Sequence, residues 1–178
     1  HMWPSAKGEV VLGLGYATPL LGQYLGEAER TIAVMPATQG VIRWPREAAN
    51  LVALADDTDL PLPDESVDRV LLVHALEHSE HVRPLLREIW RVLSGSGKLM
   101  VIVPNRRGIW ARFDRTPFGH GHPYSAGQLT TLLKDNMFVP MQSAGALMLP
   151  PLRSRMMWSW GQALENLLQS EVFTAQDV

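Results

Sequence analysis

The sequence predicts an α/β layer fold built on a mainly parallel sheet, and three observations carry that prediction. Short apolar runs recur at 9–13, 30–35, 51–55, 69–76 and 99–103. Segments with helical apolar spacing stand between several of them, and glycine- and proline-rich turns separate the two kinds. Strands alternating with helices imply parallel pairing through crossovers, and continuous apolar runs suit strands buried on both faces.

Residues 9–13 (EVVLG) read as the first strand. Thr18 suits an N-cap and Pro19 the first helical position, with Leu20, Leu21, Tyr24 and Leu25 as the apolar face of that helix. Residues 30–35 read as strand 2, 36–50 as irregular, and 51–55 as a short buried strand. The stretch 56–68 (DDTDLPLPDESVD) is loop chemistry. Residues 69–76 (RVLLVHAL) read as a central strand, and 82–93 as a helix stopped by SGSGK. The run 99–103 is the next buried strand, ended by Pro104, and 104–123 is an Arg/Gly/Pro-rich loop. Ser125 can cap a helix running to about Asn136. An apolar strand is expected within 138–149, an amphipathic helix over 153–169, and a last short strand at 171–175.

The 178 residues suggest one domain over 1–178. His1-Met2 reads as a cloning scar, and the early first strand fits a trimmed N-terminal segment. A net charge of −2 gives no reason to expect nucleic-acid binding. The chain has no cysteine, which excludes disulfides, thiolate catalysis and thiolate-bound zinc, and fits a cytoplasmic protein. No apolar run is long enough to suggest a transmembrane segment.

Parallel sheets bind ligands at the carboxyl ends of their strands, near the switch in strand order. That rule selects the loops after 13, after 35, around 56–59 and around 74–81. Gly13-Leu14-Gly15-Tyr16-Ala17-Thr18 allows close approach of a ligand to the backbone, or is a tight turn with no ligand. A dinucleotide fingerprint would need glycine at Thr18, which disfavours a NAD(P)-dependent oxidoreductase. Strand 2 ends Val34-Met35-Pro36, without the acid that commonly binds ribose hydroxyls. Asp56 and Asp57 are placed to accept from an adenine amino group, or simply make a turn. His74, His78 and His81 in LVHALEHSEH lack the H-E-x-x-H pattern, so no metal is expected.

The span LVALADDTDLPLPDESVDRVLLVHALEHSEHVRPLLREIWRVLSGSGKLMVIVPN resembles the core of class I S-adenosylmethionine-dependent methyltransferases of the type 11 kind. The order and spacing of its motifs carry the likeness, which extends over about residues 10–135 and includes HPYSAGQLTTLLKDNMF. The resemblance implies a Rossmann-like sandwich, a mostly parallel sheet with helices on both faces, closed by an antiparallel strand pair. It implies S-adenosylmethionine as cofactor and a small-molecule substrate. Gly13, Gly15 and Tyr16 would lie against the methionine part, and Asp56 with Asp57 would face adenine. Val73 and His74 would sit beneath the sulfonium, and His78, Asn105, Arg106 and His122 would border the substrate. His74 is the candidate general base, or else a hydrogen-bonded residue closing a strand.

Two departures from the family pattern matter. Val11 stands where the first motif has an acid, and Met35 stands at the strand-2 acid. They support an alternative, a catalytically inactive methyltransferase-like binding or regulatory protein. Residues 150–168, with Met156, Met157, Trp158 and Trp160, suit a core helix, a homodimer face or a surface for a protein partner.

Overall fold

A computed structural model describes Trp3 and residues 5–37, 40–104, 122–146 and 170–177. Strands β1 (Val10–Gly15), β2 (Arg30–Pro36), β3 (Val52–Ala55), β4 (Val67–Val73), β5 (Leu93–Pro104), β6 (Phe138–Ala146) and β7 (Ser170–Asp177) form one sheet. Its order is β3-β2-β1-β4-β5-β7-β6. The first five strands pair in parallel, and β7 runs antiparallel to both β5 and β6. Strand order reverses between β1 and β4, so the switch point is where Gly15 pairs with Val73.

Alternation along the central strands divides the core into two faces. Leu12, Leu14, Val70, Leu72, Leu99 and Val101 are buried on the face covered by α2 (Val82–Val92) and α3 (Ala126–Asp135). Leu85, Leu86, Ile89 and Val92 are the fully buried face of α2, each worth about 1.5–3 kcal/mol. Val11, Leu71, Val73, Met100 and Ile102 pack on the other face with Trp3, Ala6, Leu21 and Tyr24. Helix α3 starts on a full capping box: Ser125 Oγ accepts from the Gln128 N–H, and Gln128 returns the bond to the Ser125 N–H.

Several elements differ from the sequence expectation. Helix α1 is only Thr18–Leu21, continued by a 3₁₀ turn at Gly22–Tyr24. Ala17, not Thr18, is its N-cap, and Thr18 is buried inside the first turn. Strand β4 ends at Val73, and Leu76–His78 is a 3₁₀ turn. The glycines after α2 make no loop. Leu93 passes straight into β5, and a register shift opposite Val67/Arg69 absorbs Ser94–Gly97. The last strand is a full eight residues, held on both sides by ladders rather than by its own apolarity. The helix expected at 153–169 lies outside the described residues.

Candidate active site

The site is built where β1 and β4 end side by side. Gly15 has φ +75°, and a Cβ there would stand 2.4 Å from the Val73 carbonyl oxygen and 2.9 Å from the Ala75 Cβ. Only glycine tolerates both the left-handed backbone and that approach. The next residue locks the turn, because the Tyr16 N–H donates to the Val73 carbonyl at 2.9 Å. The Tyr16 ring is exposed at the rim. Gly13 has a different reason to be glycine: a Cβ would strike Leu21 at 2.5 Å and Ala17 at 2.6 Å, so α1 packs directly on it. The Val73 side chain is buried in the α1-side core, which leaves only its backbone near the edge.

His74 follows at once. It is one of three non-glycine residues with positive φ among those described, at +49°, where side chains are uncommon. Its N–H donates to the Ile102 carbonyl at 3.0 Å, so the ring is carried on backbone tied to β5. Its Nδ1 lies 2.8 Å from Oε1 of Glu77, whose side chain is 1% exposed. The second Glu77 oxygen has no hydrogen-bond partner among the described residues. The Glu77 carbonyl accepts from the His122 N–H at 2.9 Å, which brings the end of the loop before α3 to the same turn. Burial, then the Glu77 charge, raises the Tyr124 phenol above its ordinary value. The side chains of His78 and His122 are exposed.

The acidic loop after β3 supplies the third wall. Asp56 Oδ1 accepts from the Thr58 N–H at 2.8 Å and from its hydroxyl at 2.7 Å. Those bonds, backbone first, hold the Asp56 carboxyl below its ordinary value, and the nearby His81 adds to the effect. Asp56 is exposed and Asp57 half-buried. The loop is pinned to α2 by Arg91, which donates to the carbonyls of Leu60 and Leu62 and to Glu88 and Asp64. Glu88 in turn accepts from the Leu60 N–H at 2.8 Å.

The end of β2 contrasts with these walls. Met35 is buried, and its sulfur accepts from the Ile42 N–H at 3.4 Å. Val11 is fully buried in the α1-side core. Asn105 and Arg106 lie outside the described residues. The structure thus brings together Gly15, Tyr16, Val73 and His74. Sequence reasoning missed Glu77 and Arg91; an acid three residues after a strand-end histidine is the signal that could have found Glu77. A groove of about 580 Å³ borders Arg30–Ile32 and Asn50–Ala53, at the amino ends of β2 and β3 and so away from this edge. Another, of about 550 Å³, lies between the start of α2 and α3 and includes Tyr124.

A family model described as a methyltransferase domain matches residues 9–101, more than half of the chain and all of the strand ends just described. The chain belongs to the methyltransferase domain family. Two Mycobacterium tuberculosis proteins, each named as a probable S-adenosylmethionine-dependent methyltransferase, are 41% identical over 113 residues, 62% of this chain. The match covers 40% of each, so the chain spans less than half the length of these relatives. The fold matches the methyltransferase solved in complex with the Haloferax volcanii Trm112 activator at TM-score 0.73 and 16% identity, covering 98% of this chain and 84% of that one. It also matches Burkholderia thailandensis 1,6-didemethyltoxoflavin-N1-methyltransferase, solved with S-adenosylhomocysteine, at TM-score 0.65 and 17% identity, covering 97% and 72%. Among the described residues no helix is long and apolar enough to cross a membrane.

The side chains at this edge suit the family's cofactor in part. Asp56 and Asp57 are accessible acceptors, which suit a cationic ligand carrying an adenine amino group. Met35 offers no such acceptor to a ribose.

Proposed function

We propose that this chain binds S-adenosylmethionine across the carboxyl ends of β1, β3 and β4 and transfers its methyl group to a small-molecule acceptor. The observation that carries this reading is the Gly15–Tyr16 turn hydrogen-bonded to Val73, which sets His74 beside the first glycine loop. The methyl group rides on a positively charged sulfur, so transfer is an in-line displacement. Alignment is then the protein's main task. Gly13, Gly15 and Tyr16 give the methionine part a close backbone. Asp56 and Asp57 accept from adenine. His74 takes the proton of a nucleophile that must lose one. His78 and His122 border the acceptor.

One observation favours a second reading. Val11 is buried in the α1-side core and Met35 is buried with its sulfur on the Ile42 N–H, so neither position holds a charged anchor. A methyltransferase-like protein that binds a partner without catalysis fits that feature. Calorimetric titration with S-adenosylmethionine and S-adenosylhomocysteine, with NAD as control, separates the two. Asp56→Asn is the diagnostic variant, because the turn with Thr58 survives while the charge is lost. Micromolar binding, weakened about tenfold in Asp56→Asn, is expected from the loss of one charge-assisted hydrogen bond. A folded protein that binds neither compound at millimolar concentration overturns the enzyme reading.

A further inference from the structure

We infer that Glu77 is the positioning residue for His74, fixing the imidazole as the tautomer protonated on Nδ1 so that Nε2 is its basic nitrogen. The inference rests on the proposed methyl transfer for its purpose, and on three observations for its geometry.

His74 stands at the carboxyl end of a central strand in a left-handed backbone conformation. Such conformations are strained and persist where the surroundings impose them. Here the surroundings are the Ile102 carbonyl on its N–H and Glu77 on its ring. Next, the ring contact is specific: Nδ1 to Oε1 is 2.8 Å. A carboxylate in that place can only accept when ionised, which would put the proton of the bond on Nδ1 and the lone pair on Nε2 of a neutral ring. Finally, Glu77 is a carboxylate with almost no exposure and with Oε2 unpartnered among the described residues. Burial of a carboxylate so incompletely bonded is costly. A residue serving only to shape the turn would not need that charge, since the neighbouring bonds Ser79 N–H and His78 N–H to the Ala75 carbonyl already close it.

Glu77 also joins two parts of the site. Its carbonyl accepts from the His122 N–H, so the residue that orients the base also anchors the chain entering α3. The spacing explains why one residue does both. The 3₁₀ turn Leu76–His78 places the Glu77 side chain back over His74, three residues earlier, while its carbonyl points to the chain entering α3.

The test is a long-range proton–nitrogen NMR spectrum of the histidine rings, recorded well above the ordinary histidine value of about 6.5. It reads which ring nitrogen carries the proton without any acceptor being known. The wild type is expected to show His74 with Nδ1 protonated. Glu77→Gln, whose amide oxygen can still accept, is expected to keep that tautomer, and Glu77→Leu to shift the ring towards the Nε2-protonated form that free imidazole side chains favour. A wild-type ring protonated on Nε2 overturns the inference even if Glu77→Leu fails to fold. So does a folded Glu77→Leu protein with an unchanged ring. Titration of the same samples with S-adenosylhomocysteine separates the two levels. Loss of binding by the wild type sinks the proposed function and leaves the tautomer result standing. Binding with an unfixed ring sinks the inference alone.

Discussion

The centre of the sheet and its β2 side meet the same edge in opposite ways. At the centre, β1 and β4 approach so closely that Gly15 has no room for a Cβ, and the strands end on polar groups, His74 and its partner Glu77. At the end of β2 the chain stays apolar through Met35 and Pro36. The difference separates two jobs that a cofactor site must do. On the proposed function the centre would place the reacting atoms, which demands a fixed backbone. The β2 side adds affinity for a ribose, which demands only an acceptor. On that reading, this chain has the fixed backbone of the first and, at Met35, no acceptor for the second.

The sharpest way to break that contrast is at the centre. Gly15→Ala would place its Cβ on a backbone carbonyl in a left-handed conformation, and neither neighbour can yield. A loss of roughly 3 kcal/mol or more is expected. Gly13→Ala meets the flexible end of Leu21 and the fixed Cβ of Ala17, but without a left-handed backbone, so about 1–3 kcal/mol is expected. Urea unfolding of both variants reads the difference. Equal losses would mean that the β1–β4 turn is not the tightest point of the edge.

The acidic loop comes next in size. Glu88 is held below its ordinary value chiefly by Arg91, with the Leu60 N–H adding to the effect. A depressed carboxylate stabilises the fold above its ordinary value of 4.5, and that contribution fades as pH falls through the folded value. Glu88→Gln is expected to cost about 1–2 kcal/mol at pH 7. The gap from wild type should close as the medium is taken below pH 4.5. A gap that stays constant with pH would show that the Glu88 charge does not hold the loop.

The parallel strands were legible because burial on both faces writes itself as continuous apolar runs, as in Leu71-Leu72-Val73. Strand β7 was legible only as a fragment. SEVFTAQD has mixed polarity, and its eight residues are extended because β5 and β6 pair with it from either side, a long-range cause that no local pattern records. The glycines of SGSGK read as a helix stop, yet Gly97 is glycine because Leu93 lies 2.4 Å from where its Cβ would be. In the site, Asp56 and His74 were visible as strand-end residues. Glu77 was hidden inside a string of three histidines that draws attention to metals, and Arg91 inside the polar side of a helix. Both act on parts of the chain that only folding brings near, the His122 segment in one case and Leu60–Leu62 in the other.

The smallest expected effect sharpens the comparison from the β2 side. Met35→Asp puts an acceptor where the strand has none. The Ile42 N–H that now reaches the Met35 sulfur is available to bond the new carboxylate, which limits the cost of burying it. A stability loss of about 1–2 kcal/mol is still expected, because one bond does not replace hydration. Against that loss, affinity for S-adenosylmethionine should rise about threefold to tenfold, the value of roughly one added hydrogen bond to a ribose hydroxyl. Calorimetry on the folded variant reads it directly. Tighter binding would place the ribose over the end of β2 and show that Met35 leaves an acceptor position unused. Unchanged affinity in a folded variant would mean that the ligand is held entirely from β1, β3 and β4, and that the apolar end of β2 belongs to the core rather than to the site.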